Sequence, residues 1–258
     1  MLRLLFGLSL FVLPGVLVAE ETGTLTGQFL YDGPAPNREK LELNKDIEYC
    51  APHNLKSEEL IVDPQTRGIK NIILWLDTKS SGQKPKFESA PEHSKQVVFD
   101  NKNCRFNPHI SVLMTTQKLL VKNSDPIAHA ALVNAFVNDP LNAVVNAKST
   151  ADTTYNLPYV EPLPIKITCP IHAWMSAYLV VQDHPFVAVT DANGQFEIKG
   201  LPPGEWTFRV WQESCGYVKS ATQAGEEQTW DRGRMTVTIE PGKNAIGVFQ
   251  LKPELFQN

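Results

Sequence analysis

Three side chains that bind soft metals lie within seven residues of one another, in the segment Cys169-Pro-Ile-His172-Ala-Trp-Met175. A blue-copper site has two histidines and one cysteine in a trigonal plane, with a methionine at a longer axial distance. This segment offers the thiolate, one imidazole and the thioether. The second imidazole must come from another strand, and His129 upstream is the candidate. The sequence therefore predicts one copper ion with the ligands His129, Cys169, His172 and Met175.

Short strands on either side of these residues are the elements that must position them. Residues 165–168 form a predicted strand that ends at Cys169, and residues 177–181 form the strand after Met175. Residues 119–122 form another, which ends at the turn 123–126 ahead of His129. A short loop between two strands holds its side chains rigidly, so this pattern favours a metal that exchanges electrons with little change of geometry.

Each of the three loop residues also has a common structural role when it occurs alone. A lone Cys169 would most often be half of a disulfide, His172 a surface residue and Met175 a core residue, but their joint spacing favours copper. A binuclear copper centre would require a second cysteine in the loop, and a catalytic type 2 site would require more histidines. No paired carboxylates, Ser-His-Asp order or glycine-rich phosphate loop is evident, so the sequence does not predict an enzyme.

Composition indicates an all-β protein and gives no sign of a polyanionic partner. The chain has 258 residues, and 24 basic against 28 acidic residues give a net charge of −4. This charge is too balanced to argue for nucleic acid or an anionic membrane as a partner. Nineteen prolines and fifteen glycines separate short runs of β-branched and aromatic residues. Residues 135–159 contain few strand-forming residues, and we expect a long excursion there.

The N-terminus resembles an export signal more than a folded element. Arg3 precedes an apolar stretch over residues 4–18, and the small Ala19 is followed by two glutamates. The stretch is short for a membrane helix, which needs about 20 apolar residues. We predict a signal peptide at residues 1–19, a periplasmic or secreted protein, and no membrane span after cleavage. An uncleaved anchor stays open, because Leu17 is unusual three positions before the cut.

The remaining cysteines fit an oxidising compartment, where disulfides persist. Cys50 and Cys104 lie in polar, loop-like contexts, and we favour them as a pair. Cys215 is then a free or intermolecular thiol. The alternative is a zinc site made of these two cysteines with His53 and His109, which is less favoured in an exported protein.

Residues 106–181 resemble the cupredoxins, the family of plastocyanin and amicyanin. Phe106-x-Pro108, the strand at 119–123, a turn and His129 follow that family's order, and the Cys169–Met175 loop is most similar to amicyanin's. The resemblance implies a Greek-key β-sandwich, one type 1 copper, single-electron exchange with a redox partner protein, and electron exit through an exposed ring edge of His172. Plastocyanins often have Asn where this chain has Ala130, whose backbone N–H can still donate to the sulfur.

The last part of the chain resembles a second family. The turns Asp-Ala-Asn-Gly at 191–194 and Pro-Pro-Gly at 202–204 are typical of the carboxypeptidase regulatory-like, or prealbumin-like, β-sandwich. The resemblance covers residues 186–251. That family opens with strands similar to residues 23–29 and 69–76, which here precede the copper region. We therefore expect the cupredoxin to be inserted between strands of the sandwich, with two domains in tandem as the alternative.

The predicted organisation has four parts: a signal peptide at 1–19, an N-terminal β segment at 20–95, a cupredoxin-like domain at 96–183 and a regulatory-like sandwich at 184–258. The predicted function is an exported carrier of single electrons with one type 1 copper. Two alternatives stay open. One is a non-catalytic surface or carbohydrate-binding module with a structural or vestigial metal site, and the other is copper storage or delivery.

Overall fold

The computed structural model describes residues 21–87, 96–149 and 153–257, and the predicted signal peptide lies outside these ranges. The described residues are all-β, which confirms the predicted class. Two four-residue helices, α1 (Ile47–Cys50) and α2 (Thr78–Ser81), and 3-10 helices at Ala51–His53, Asp231–Gly233 and Pro253–Phe256 accompany the strands. No helix in these ranges has the length and apolar character needed to cross a membrane.

Twenty-one strands are present in the described ranges. In chain order they are β1 (Gly23–Tyr31), β2 (Ile61–Val62), β3 (Ile69–Lys70), β4 (Ile73–Leu76), β5 (Gln96–Lys102), β6 (Arg105–Asn107), β7 (Ile110–Met114), β8 (Lys118–Asn123), β9 (His129–Val133), β10 (Leu141–Val145), β11 (Thr153–Asn156), β12 (Ile165–Thr168), β13 (Ser176–Gln182), β14 (Val187–Val189), β15 (Gln195–Leu201), β16 (Gly204–Gln212), β17 (Gly216–Tyr217), β18 (Ser220–Gln223), β19 (Glu226–Thr229), β20 (Arg234–Ile239) and β21 (Gly242–Leu251).

The first sandwich combines strands from both ends of the chain. One sheet has the order β15-β1-β21-β18-β19, and the other has the order β14-β4-β16-β17 with β20 also paired to β16. Strand β1 is antiparallel to β15 and parallel to β21. Phe29 of β1 stacks on Phe196 and Phe249 in the core between the sheets. The N-terminal strands and the tail therefore share one hydrophobic core.

The second sandwich is formed by β5 to β13, which lie between β4 and β14 in the chain. Its sheets have the orders β10-β9-β12-β13-β7 and β11-β8-β5-β6. The expected excursion at 135–159 is wrong, because β10 and β11 lie within it. Both are edge strands, paired to β9 and β8 respectively. Pairing with these neighbours outweighs the weak strand propensity of their Asn, Thr and Ala residues.

The two sandwiches contact each other through an aromatic cluster. Trp75 and Trp211 of the first sandwich pack with Tyr178 of the second, and the rings of Tyr178 and Trp211 are 4.9 Å apart. Strand β4 is buried on both faces, since Leu74 and Leu76 point into the first core and Trp75 into this cluster. The doubly buried strand explains why residues 72–76 are apolar without interruption.

Residues 37–58, which we call the strap, leave the first sandwich and cross one end of the second. The strap contains α1, and the disulfide Cys50–Cys104 ties it to the turn between β5 and β6. Leu55 is buried against both cysteines. The favoured disulfide is confirmed, and the zinc alternative is wrong because both of its thiols are oxidised.

Candidate metal centre

Three predicted ligands converge beneath the strap. One donor atom each of His129, Cys169 and His172 lies within 4.8 Å of the other two, and all three side chains are buried. His129 begins β9 and Cys169 follows β12. These two strands pair with Thr168 opposite Leu132, which brings the start of β9 to the end of β12. Backbone pairing therefore brings together residues 40 positions apart.

The loop from Cys169 to Met175 is closed by its own backbone. The N–H of Cys169 donates to the carbonyl of Met175 at 3.3 Å, and the N–H of Met175 donates to that of His172 at 2.9 Å. Strands β12 and β13 pair immediately beyond, with Thr168 opposite Ser176. The Met175 side chain is buried in the same cluster as Cys169. The structure thus holds all four predicted ligand residues at one end of the second sandwich.

The surroundings of the Cys169 sulfur favour the thiolate. The backbone N–H of Ala130 donates to Sγ at 3.3 Å, which is the contact expected from the sequence. Burial alone would raise the pKa of the thiol. The neighbouring His129 and the backbone N–H groups of Ala130, Ile171 and His172 outweigh burial and hold the pKa below its ordinary value. The thiolate is the form of cysteine that binds metals.

His129 has one fixed nitrogen and one without a partner. Its Nε2 is 2.9 Å from Asp125 Oδ2, while its buried Nδ1 has no hydrogen-bond partner among the described residues. Asp125 is itself fixed, because its carboxylate accepts the backbone N–H groups of Asn103 and Cys104 and the hydroxyl of Tyr49. An unsatisfied buried nitrogen costs about 1–3 kcal/mol. A metal bound at Nδ1 removes that cost.

His172 is fixed in the same way from the other side. Its Nδ1 is 3.7 Å from Cys169 Sγ, and its Nε2 is 2.8 Å from Asp46 Oδ2 in the strap. Burial lowers the pKa of His172; Asp46 opposes this shift and repulsion from His129 adds to it. The ring is fully buried. The exposed ring edge that the cupredoxin resemblance implied is therefore wrong, because the strap covers it.

The donor set fits copper. Two imidazoles and a thiolate converge, and each histidine has its other nitrogen on a carboxylate. Met175 is buried in the same cluster as Cys169. Carboxylates that accept the second N–H of a histidine fix its tautomer and ring orientation toward a metal. Bound copper would supply one-electron chemistry at this position.

No protein-family model matches this chain, and no curated protein matches it either. Solved structures match it in part. A reduced amicyanin variant is 14% identical over 34% of this chain and 83% of its own, with a TM-score of 0.29. A purple cupredoxin from Nitrosopumilus maritimus is 14% identical over 34% of this chain and 98% of its own, with a TM-score of 0.28. The regulatory-like sandwich stays a prediction.

Sequence reasoning missed the two carboxylates. Asp125 lies four residues before His129, so its proximity was available as a local signal. Asp46 is 126 residues from His172 and carries no such signal. His109, the other histidine near this end, binds Glu213 at 2.7 Å instead of joining the centre.

Cys215 is expected to react slowly with iodoacetamide in the folded protein. Burial raises its pKa to about 11. Because each pKa unit is a factor of ten, roughly a thousandth of this thiol is ionised at pH 8. Peptide mass spectrometry after timed labelling would measure the rate for this cysteine separately from Cys169. Equal rates in the folded and the urea-unfolded protein would contradict the expectation.

Proposed function

We propose that this protein is an exported carrier of single electrons, with His129, Cys169, His172 and Met175 as the ligands of one type 1 copper. The observation that carries the proposal is the convergence of two imidazole nitrogens on the Cys169 sulfur, one of them buried with no hydrogen-bond partner in the part of the chain that the structure describes. A cation bound between the three donor atoms would satisfy all of them together. The structure itself contains the candidate His-Cys-His metal site. Electron transfer by a metal bound there is the part that we propose.

The chain's own residues supply what electron transfer needs. Asp125 and Asp46 hold the histidine rings, and the Ala130 N–H holds the sulfur, so the ligands keep their positions in both oxidation states. Burial of all four side chains keeps water and small substrates away from them. These features support electron exchange with a partner at a distance, and we propose no catalytic role.

The disulfide supports the proposed compartment, and an exposed apolar residue of the strap supports the proposed docking surface. A buried disulfide fits a periplasmic or secreted protein. Removal of residues 1–19 takes away Arg3, leaving 23 basic against 28 acidic residues and a net charge of −5. We propose docking of a redox partner protein on the strap beside Asp46, where the apolar Ile47 is 54% exposed. Nucleic acid is not proposed as a partner.

The test is a redox cycle on the copper-loaded protein. We expect one copper per chain, oxidised by ferricyanide and reduced by ascorbate repeatedly without loss of the metal. Copper that leaves on reduction would favour storage or delivery instead. Zinc bound in preference to copper, with no redox cycle, would favour a structural site in a binding module.

A further inference from the structure

Asp46 has an unusual position for an aspartate at a helix start. It is the N-cap of α1, where an Asp side chain commonly accepts a backbone N–H of the first turn. Here the side chain makes no such bond, and the backbone is left-handed, with φ 46° and ψ 40°. Residues other than glycine adopt this conformation uncommonly, and aspartate is among those that tolerate it best. Asp46 therefore makes no side-chain capping hydrogen bond to α1, and its carboxylate instead contacts His172 Nε2 at 2.8 Å.

The strap also supports the other histidine. The Tyr49 hydroxyl donates to Asp125 Oδ1 at 2.9 Å, and Asp125 contacts His129 Nε2. Two residues of the strap, three positions apart, thus act on the two histidines through two carboxylates. Cys50, the residue after Tyr49, forms the disulfide that fixes this part of the strap. The strap pairs with none of the sheets of the second sandwich, yet it completes the metal centre.

We propose that Asp46 is a positioning residue of the metal centre that favours Cu(II) over Cu(I). Its carboxylate fixes the N–H on His172 Nε2, leaves Nδ1 free for the metal and makes the imidazole a stronger donor. With Asp125, it places two negative charges behind the two histidines, and negative charge stabilises the more highly charged ion. This inference rests on the proposed function and extends it to the reduction potential.

The test compares Asp46→Asn and Asp46→Ala with a matched control. Glu48→Gln removes the same charge from an exposed position in α1. We expect the ratio of Cu(II) to Cu(I) affinity to fall about tenfold in both Asp46 variants, the lower end of the range for such outer contacts. For one electron this equals a rise of about 59 mV in reduction potential. The Glu48→Gln variant should match the wild type.

A second readout needs no copper. Long-range proton–nitrogen correlation spectra of the metal-free protein report which nitrogen of His172 carries the proton. We expect protonated Nε2 in the wild type and in Asp46→Asn, whose amide oxygen still accepts, and a mixture of tautomers in Asp46→Ala. Thermal unfolding identifies any variant that fails to fold, and the isosteric Asn variant keeps the comparison decisive.

The outcomes separate this inference from the proposed function. A wild-type protein with protonated Nε2 but no copper affinity overturns the proposed function and this inference with it. A copper-binding wild type whose affinity ratio equals that of Asp46→Ala overturns the role of Asp46 alone.

Discussion

Replacement of Cys169 by serine is expected to abolish the proposed blue copper site completely. The thiolate gives a blue site its visible absorption, and serine cannot supply this charge transfer because its hydroxyl is a harder, neutral donor. Serine also loses the sulfur that the Ala130 N–H contacts at 3.3 Å. The copper content and visible spectrum of the variant after loading measure the effect.

The matched control is Cys215→Ser. Cys215 is the other cysteine outside the disulfide among the described residues, and it lies in the first sandwich. This variant should keep the full visible absorption. Blue colour retained in Cys169→Ser would show that the ligand assignment is wrong. Colour lost in both variants would point to a general effect of serine on folding, which circular dichroism would detect.

Removal of the disulfide by joint replacement of Cys50 and Cys104 with alanine is expected to lower the free energy of unfolding by about 4 kcal/mol. The two cysteines are separated by 54 positions, and this figure is the chain-entropy cost of a loop of that length. Both cysteines are fully buried, so replacing them with the smaller alanine brings no stabilising gain that would offset this loss. Urea unfolding followed by tryptophan fluorescence, for both proteins without copper, measures the difference.

The same variant should release the strap. Asp46 and Tyr49 lie within four residues of Cys50. Asp46 contacts His172 directly, and Tyr49 contacts Asp125, which holds His129. Faster hydrogen exchange over residues 40–55, with little change in the first sandwich, is the expected pattern. An unfolding free energy within about 0.5 kcal/mol of the wild type, the effect of an ordinary surface change, would contradict the role given to the disulfide.

The sequence predicted the parts of the centre that depend on local order. The ligand loop and its two flanking strands follow from spacing and short β-branched runs, and predicted residues 165–168 coincide with β12. The favoured disulfide followed from the compartment, the assignment of Cys169 to the metal, and the polar, loop-like contexts of Cys50 and Cys104. These features depend on neighbours within a few residues, or on a count of one residue type.

Features that depend on distant pairing were missed. The edge strands β10 and β11 have weak intrinsic propensity, and their partners β9 and β8 determine them. Burial of His172 depends on a strap more than 110 residues away in the chain. A glutamate or an alanine at position 46 would look equally plausible from sequence alone. The cover over the metal centre is therefore visible only in the folded structure.

The most direct test of the central claim is to load the protein, expressed without residues 1–19, with Cu(II) and record its visible and paramagnetic-resonance spectra. If the proposed function is right, we expect one copper per chain, an intense thiolate-to-copper absorption and a narrow copper hyperfine splitting. A colourless protein that binds no stoichiometric copper would contradict the account and favour a binding or structural β-sandwich.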